Sequence, residues 1–282
     1  MRSQGQDGWP EGYHKIATGP VGRSLAVAFN FLTDTVTVAE LEARKLHHDS
    51  TELLTRAVQP ALWLLIFGEV LAQIRAIPSG QLPYIDFMTP GILAQSVLFI
   101  AIFYGIAVIW ERDLGILHKM LASPASRDAL VLGKALSASE RGLSQAVIIY
   151  VLALLIGVHI NWALSAVLGV VLVVVLGSAL FATFSLIIAC LVRTRERFMG
   201  VGQLLTMPLF FASNAIYPIS IMPRWLQAIA RVNPLTYEVD ALRSLMVIGG
   251  APVYGIGIDL IALLATTALL VVVAARLYPR VV

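Results

Sequence analysis

Tyr217-Pro218-Ile219-Ser220-Ile221-Met222-Pro223 breaks a stretch, Phe198 to Asp259, that is otherwise apolar enough to enter a bilayer, and its prolines fall where a spanning helix would continue. Phe198 through Pro223 carries no Lys, Arg, Asp or Glu. At about 1.5 Å per residue, its first ~20 residues cover roughly 30 Å of hydrocarbon. Two short amphipathic segments follow, opening on Pro223 and Pro234, each proline suited to a first helical turn. Trp225, Leu226 and Ile229 share one face of the first; Leu235, Val239, Leu242 and Met246 share one face of the second. Neither is long enough to cross. The stretch reads as a span followed by a broken return, with residues 218–247 re-entrant and Pro218, Pro223, Trp225, Asn233, Pro234 and Arg243 forming its cap. Such a hairpin needs protein or water around its backbone groups, so it belongs beside a route through the membrane rather than in a simple anchor.

The rest of the chain carries the same signature. Charged residues are 13% and apolar residues 58%, against about 25% and 45–50% in soluble domains, which excludes an ordinary soluble fold. Charge-free runs cover Phe87 to Trp110, Gly142 to Val192, Phe198 to Pro223 and Leu260 to Ala275. The second is 51 residues long, enough for two helices joined by a turn at Gly157-Val158-His159-Ile160-Asn161-Trp162. A first span from about Thr55 to Ala76 brings the expected number to six, an all-helical integral membrane fold. Of the 20 Lys and Arg, 16 fall on one side of these spans, which puts both termini in the cytoplasm and the re-entrant segment outside. The net charge of +3 then reflects topology and anionic lipid; no basic domain calls for nucleic acid. Residues 1–22 lack an apolar signal-peptide region, so no cleaved leader is expected. Cys190 is a lone cysteine with no internal partner, read as a small buried hydrophobe, and the five scattered histidines do not space like metal ligands.

Gly133-Lys134-Ala135 lacks the glycine spacing and the hydroxyl of a P-loop, so no ATP or Mg site of that kind lies in this chain. Glu111-Arg112-Asp113-Leu114-Gly115-Ile116-Leu117-His118-Lys119-Met120-Leu121, ended by Pro124, is a short amphipathic piece: Leu114, Leu117 and Leu121 make a stripe flanked by Ile116 and Met120. From the residues alone it fits a groove on a partner protein or an interfacial helix on lipid equally well, with Lys119 and Arg127 snorkelling in the latter case. Upstream, Val36 to His47 reads as a helix, and Asp49 with Glu52 forms a capping box at the start of the first span.

The Tyr217–Ser220 and Met222–Leu226 residues, with Asn233-Pro234-Leu235-Thr236-Tyr237 and Ala241-Leu242-Arg243, closely resemble the signature of the type 2 ABC exporter permeases, a family that includes daunorubicin-resistance, nodulation-factor and polysaccharide export subunits. The resemblance runs from about Glu40 to the C-terminus. It implies a cytoplasmic segment over 1–35 and a permease domain over 36–282, with a connecting helix at 36–48, a coupling loop at 111–137 and external re-entrant helices at 218–247. It implies further that Glu111, Arg112, Asp113, Leu114, Leu117, Met120, Leu121, Pro124 and Arg127 meet an ATPase subunit, present in two copies and binding the ATP and Mg. A second permease chain, identical or related, completes the transporter in the cytoplasmic membrane. The implied activity is export of a drug-like, lipid or glycan cargo without covalent chemistry in this chain.

Candidate path residues are Glu69, Gln203, Thr206, Ser213, Asn214 and Tyr217. Glu69 lies about fourteen residues into the first span, where an ionised carboxylate costs about 3 kcal/mol near the bilayer centre, so it serves cargo or a coupled proton, or pairs near the surface with Gln73 and Arg75. Gln203, Thr206 and Ser213 fall near one stripe of the fifth span and either face a path or join helices. Glu238, Asp240 and Asp259 are expected to be solvated or paired with Arg231 and Arg243. An ion-driven secondary transporter centred on Glu69 is the alternative function. An integral-membrane lipid-processing enzyme is disfavoured because the acidic groups are dispersed.

Overall fold

The computed structural model describes residues 58–74, 77–78, 80, 82–115, 127–192 and 194–277, with side chains in 127–136 described only at Gly133. Expectations for the connecting helix and the Asp49 capping box, and for Leu117, Met120, Leu121 and Pro124, lie outside these residues, as does the side chain of Arg127. The described chain is mostly helical. In order it forms α1 (Val58–Ile74), α2 (Tyr84–Asp113), α3 (Arg127–Ile156), α4 (Leu164–Leu191), α5 (Arg195–Phe211), α6 (Arg224–Val232), α7 (Pro234–Met246) and α8 (Ile256–Leu277). Four of these, α2, the Ser137–Ile156 part of α3, α4 and α8, are long and apolar enough to cross a membrane.

α4 is the hub: α3, α2, α8, α7 and α5 all pack on it. Its Leu/Val/Ile-rich sequence has no charged residue, so it can be surrounded on every side, and Val173, Val174, Leu180, Phe181 and Leu186 are buried. α2 is more deeply enclosed still, contributing Met88, Ile92, Leu93, Val97, Leu98 and Ile102 to the main core. Hydroxyls in these helices return to the carbonyl one turn back, Thr89 to Ile85, Ser96 to Ile92 and Thr183 to Ala179, each at 2.7 Å. That satisfies these three hydroxyls without water, as an apolar surround requires. Ser185 instead crosses to α2, donating to the Ile102 carbonyl and accepting the Gly105 N–H at 3.0 Å. A Cβ at Gly105 would collide with Ser185 and the Phe198 ring, so glycine is what allows this approach. The outer surfaces are apolar too: Ile258, Ile261, Leu264 and Leu269 of α8 and Val147, Val151 and Leu155 of α3 are exposed. Exposed apolar surface on this scale belongs to a multi-pass membrane protein facing lipid.

The 51-residue uncharged run is two helices, as expected, with the chain reversing between Ile156 and Leu164 around Gly157 at φ +86°. α5 departs from expectation. It stops at Phe211 after 17 residues, well short of Pro223, and Pro208 lies within it. Its last carbonyls are taken up locally: Ser213 donates to the Phe210 carbonyl at 2.7 Å, and the Asn233 amide donates to those of Leu209 and Ala212 at 2.7 and 3.2 Å. With those groups satisfied the helix has no need to continue. Ser213 therefore lies past the helix end and does not share a helical stripe with Gln203 and Thr206.

Candidate functional site

Asn233 and Arg243 hold the short helices against the spans. Asn233 precedes Pro234, which sits at the first position of α7 where its missing N–H costs nothing. The Asn233 side-chain oxygen caps α7 by accepting the Leu235 N–H at 3.0 Å, while its amide nitrogen closes α5. One side chain thus ends one helix and begins another. Arg243, ten residues on, is buried. Its Nε donates to the Phe87 carbonyl at 3.1 Å and its Nη2 to the Asn214 carbonyl at 2.7 Å, and its guanidinium stands 3.8 Å from the centroid of the Phe87 ring. The planar fork therefore joins α7 to α2 and to the segment after α5, which a lysine could not do with the same geometry. Tyr84 adds a hydrogen bond to the Ile216 carbonyl at 3.1 Å. Gly91 lets the Ala215 backbone lie directly against α2, where a Cβ would collide.

Leu235, Val239, Leu242 and Met246 form the buried face of α7, as the sequence periodicity predicts. The matching face of α6 does not behave alike: Trp225 and Ile229 are exposed, and Leu226 is half-buried. Pro218 and Pro223 precede, respectively, the Ile219–Ile221 3-10 turn and α6. The turn between α3 and α4 is tied to the same end by an antiparallel bridge between Ile160 and Val247, and by His159 Nδ1 to Asp86 Oδ2 at 2.9 Å.

The acidic residues here are not solvated, which corrects that alternative of the sequence expectation. Glu238, Asp240 and Asp259 are all fully buried. Asp240 accepts the Val253 and Tyr254 N–H groups at 2.7 and 3.0 Å, organising the chain that leads into α8. Glu238 points at Gly177 of α4, where a Cβ would overlap its carboxyl group, and neither of its oxygens has a hydrogen-bond partner. Burial pushes the Glu238 carboxyl well above the ordinary carboxylate range. Sequence reasoning missed this because the contact is between residues far apart in the chain; the local cue, a glutamate between Tyr237 and Val239, reads as a surface position.

At the opposite end, α2 finishes at Asp113, with Leu114 exposed and Gly115 at φ +70°. Glu111 is buried. Arg112 Nη2 pairs with Asp113 Oδ1 at 3.1 Å, and Arg195, the first residue of α5, reaches Asp113 Oδ2 at 3.2 Å. The Arg195 guanidinium also stacks over the Trp110 ring, 3.3 Å from its centroid. The first residues of the predicted coupling segment are thus fastened to the start of α5.

The predicted path residues do not gather around one opening. Glu69 and Gln203 are exposed on the surface of the chain. Thr206 donates to the Gly202 carbonyl and Tyr217 to that of Phe211. Asn214 is buried with both amide atoms unpartnered. Glu69 follows a π-helical stretch of α1, Trp63–Gly68.

The profile of the ABC-2 type transporter family matches residues 34–247, which take in the Asn233–Arg243 clasp, the α2 terminus and the segment between them. The chain belongs to the ABC-2 type transporter family. Among related proteins, this transporter is 27% identical over 224 residues to the ycf38 transport permease of Cyanophora paradoxa, covering 79% of this chain and 77% of that one. It is 24% identical over 231 residues to the daunorubicin resistance ABC transporter permease DrrB1 of Streptomyces coeruleorubidus, covering 82% and 81%. Nodulation protein J of Rhizobium meliloti is 25% identical over 213 residues, covering 75% and 79%.

Proposed function

We propose that this chain is half of an ATP-driven exporter that moves a drug-like, lipid or glycan cargo outward across the cytoplasmic membrane. Its class, the transmembrane permease subunit of an ABC exporter, follows from its family and from relatives that serve drug resistance and nodulation. It is a transport subunit rather than an enzyme. The observation that carries the rest is the pairing of this family membership with a sequence that has no P-loop, so that energy must come from a separate ATPase, in two copies, holding the ATP and Mg.

In this reading six helices cross: α1, α2, α3, α4, α5 and α8. The 17 described residues of α1 and of α5 each extend roughly 26 Å, close to the hydrocarbon thickness. The distribution of Lys and Arg supports cytoplasmic termini, with α6 and α7 re-entrant on the outer side. Exposed apolar residues on α1, α5 and α6, among them Leu62, Ile66, Leu204, Phe211 and Trp225, support a second permease chain, identical or related, on that face. Residues 36–48 and the segment from Glu111 to Arg127 dock on the ATPases, and closure of the ATPases shifts the two permease halves as rigid bodies around cargo passing between α1, α2 and α5.

Reconstitution in vesicles with the ATPase recovered from the native membrane tests this. Leu117→Asp is expected to abolish ATP-dependent export and to weaken ATPase binding. Undiminished export by that variant sinks the docking role, and export driven by an ion gradient without any ATPase sinks the whole reading.

A further inference from the structure

Two glutamines lie deep in adjoining spans with nothing to bond. Gln95 is twelve residues into α2 and Gln145 eleven residues from the end of α3, each roughly 17 Å from the helix terminus nearest α7 and so near mid-depth. Both side chains are almost wholly buried, and the carbonyl oxygen of neither amide has a hydrogen-bond partner. Buried amides in membrane helices ordinarily bond across to a neighbouring helix, and this pair does not. Both instead line a cavity of about 240 Å³ between α1, α2 and α3, together with Gln59, Ser96, Phe99 and Phe103. Ser96 already spends its hydrogen on the Ile92 carbonyl at 2.7 Å, which leaves the amides as the hydrogen-bond donors of the cavity. The Phe99 and Phe103 rings, 6.3 Å apart between centroids, supply apolar faces.

The lining carries no charge, so an ionic group would enter without a counter-ion and lose its hydration for nothing. Amides donate and accept equally well, and hydroxyls do the same. Aromatic faces accept the C–H side of a saturated ring. The cavity is smaller than the roughly 300–1,000 Å³ of sites that enclose a whole drug-sized ligand, so it suits one ring-sized group with its apolar remainder left in the bilayer.

From the unpartnered Gln95 and Gln145 amides facing this uncharged, phenylalanine-walled cavity, we infer that the chain binds the neutral, hydroxyl-bearing ring of an amphipathic molecule between α1, α2 and α3. This deepens the exporter reading by naming a cargo chemistry, and it rests on that reading only for the binding site to be one of transport. A glycoside head group of a membrane lipid and the hydroxylated ring of an exported compound share this chemistry.

The test uses the full chain, without ATPase or ATP, in nanodiscs of phosphatidylcholine and phosphatidylglycerol. Binding of radiolabelled octyl glucoside, kept below its micelle-forming concentration, is measured by equilibrium dialysis against empty nanodiscs. Saturable binding of one molecule per chain is expected, weakened tenfold or more in Gln95→Leu/Gln145→Leu with no fall in melting temperature. Glutamines that merely joined helices would lower the melting temperature and leave binding unchanged, which overturns the inference. Equal binding of octyltrimethylammonium also overturns it, as does uptake no greater than by empty discs. Should the double variant fail to fold, Gln145→Leu alone is expected to weaken binding several-fold, and unchanged binding there counts against the site. Release of one resident glycolipid per chain on octyl glucoside binding identifies the membrane as the source; binding without release identifies a transported compound. Because no ATPase is present, failure here leaves the export reading standing, and loss of ATP-dependent export leaves this site standing.

Discussion

Arg195 bonds Asp113 at 3.2 Å and places its guanidinium over the Trp110 ring, so two contacts join the first residue of α5 to the last turn of α2. Both charges are partly exposed, and an exposed pair contributes only about 0–1 kcal/mol. Arg195→Ala is therefore expected to change the melting temperature little. ATP-driven export should nonetheless fall several-fold, because the proposed coupling segment begins at Asp113. Comparing thermal unfolding with export in one preparation checks this, and a variant that transports normally removes the contact from the coupling route.

Asn233 has two roles that substitution separates. Asn233→Asp keeps an acceptor for the Leu235 N–H but withdraws the donor from the Leu209 and Ala212 carbonyls and sets a negative charge against them. At a simple N-cap the two residues are near equals. Here Asp should be as damaging as Ala or worse, by about 1–2 kcal/mol, measured by denaturant unfolding in mixed micelles. Equivalence of Asp with wild type would refute the dual role.

Arg243→Ala takes a buried donor from both the Phe87 and the Asn214 carbonyls, at a cost of about 3 kcal/mol. Arg243→Lys is expected to recover less than half of it, since an ammonium has no planar fork to reach two carbonyls and lie over Phe87. Full recovery with Lys, read in the same unfolding assay, would make the charge rather than the fork the stabilising feature.

Glu238 predicts an acid-stable fold. Its carboxyl is raised in the folded state by burial, so its favourable protonated form is fully present below the unfolded carboxylate value. Stability is then lost as pH rises toward the folded value. Glu238→Gln keeps the shape without the titration. Wild type and variant should melt alike near pH 4, and the variant should melt higher at pH 8; parallel curves across that range contradict the assignment.

Much of this was legible in the chain because apolar runs and prolines act locally. The 51-residue run had to be two helices, and the Asn-Pro step before Leu235 signalled a helix start. The buried face of α7 followed from its periodicity. The end of α5 was not legible, since Asn233, which satisfies its carbonyls, lies more than twenty residues downstream. Nor was the burial of Glu238, Asp240 and Asp259, because a carboxylate is read as solvated until its tertiary neighbours are known. Gln95 and Gln145 gave no signal either: a single amide in an apolar run alters no periodicity, and only the packing of α2 on α3 brings the two together. The predicted path residues Thr206, Ser213 and Tyr217 each donate to a carbonyl of their own segment, and the first two are buried, which a stripe on a helical wheel does not register.

The bridge between the α3–α4 turn and the end of α7 is made by main-chain groups, Asn161 N to the Met246 carbonyl at 2.8 Å and Ile248 N to the His159 carbonyl at 2.9 Å. His159 and Ile248 are exposed, and neither needs its side chain for these bonds. At position 248 the fastening is thus indifferent to most replacements and intolerant of one residue, proline, which has no N–H to offer. The side chain at position 248 can therefore change in charge and size while the same two elements stay laced together.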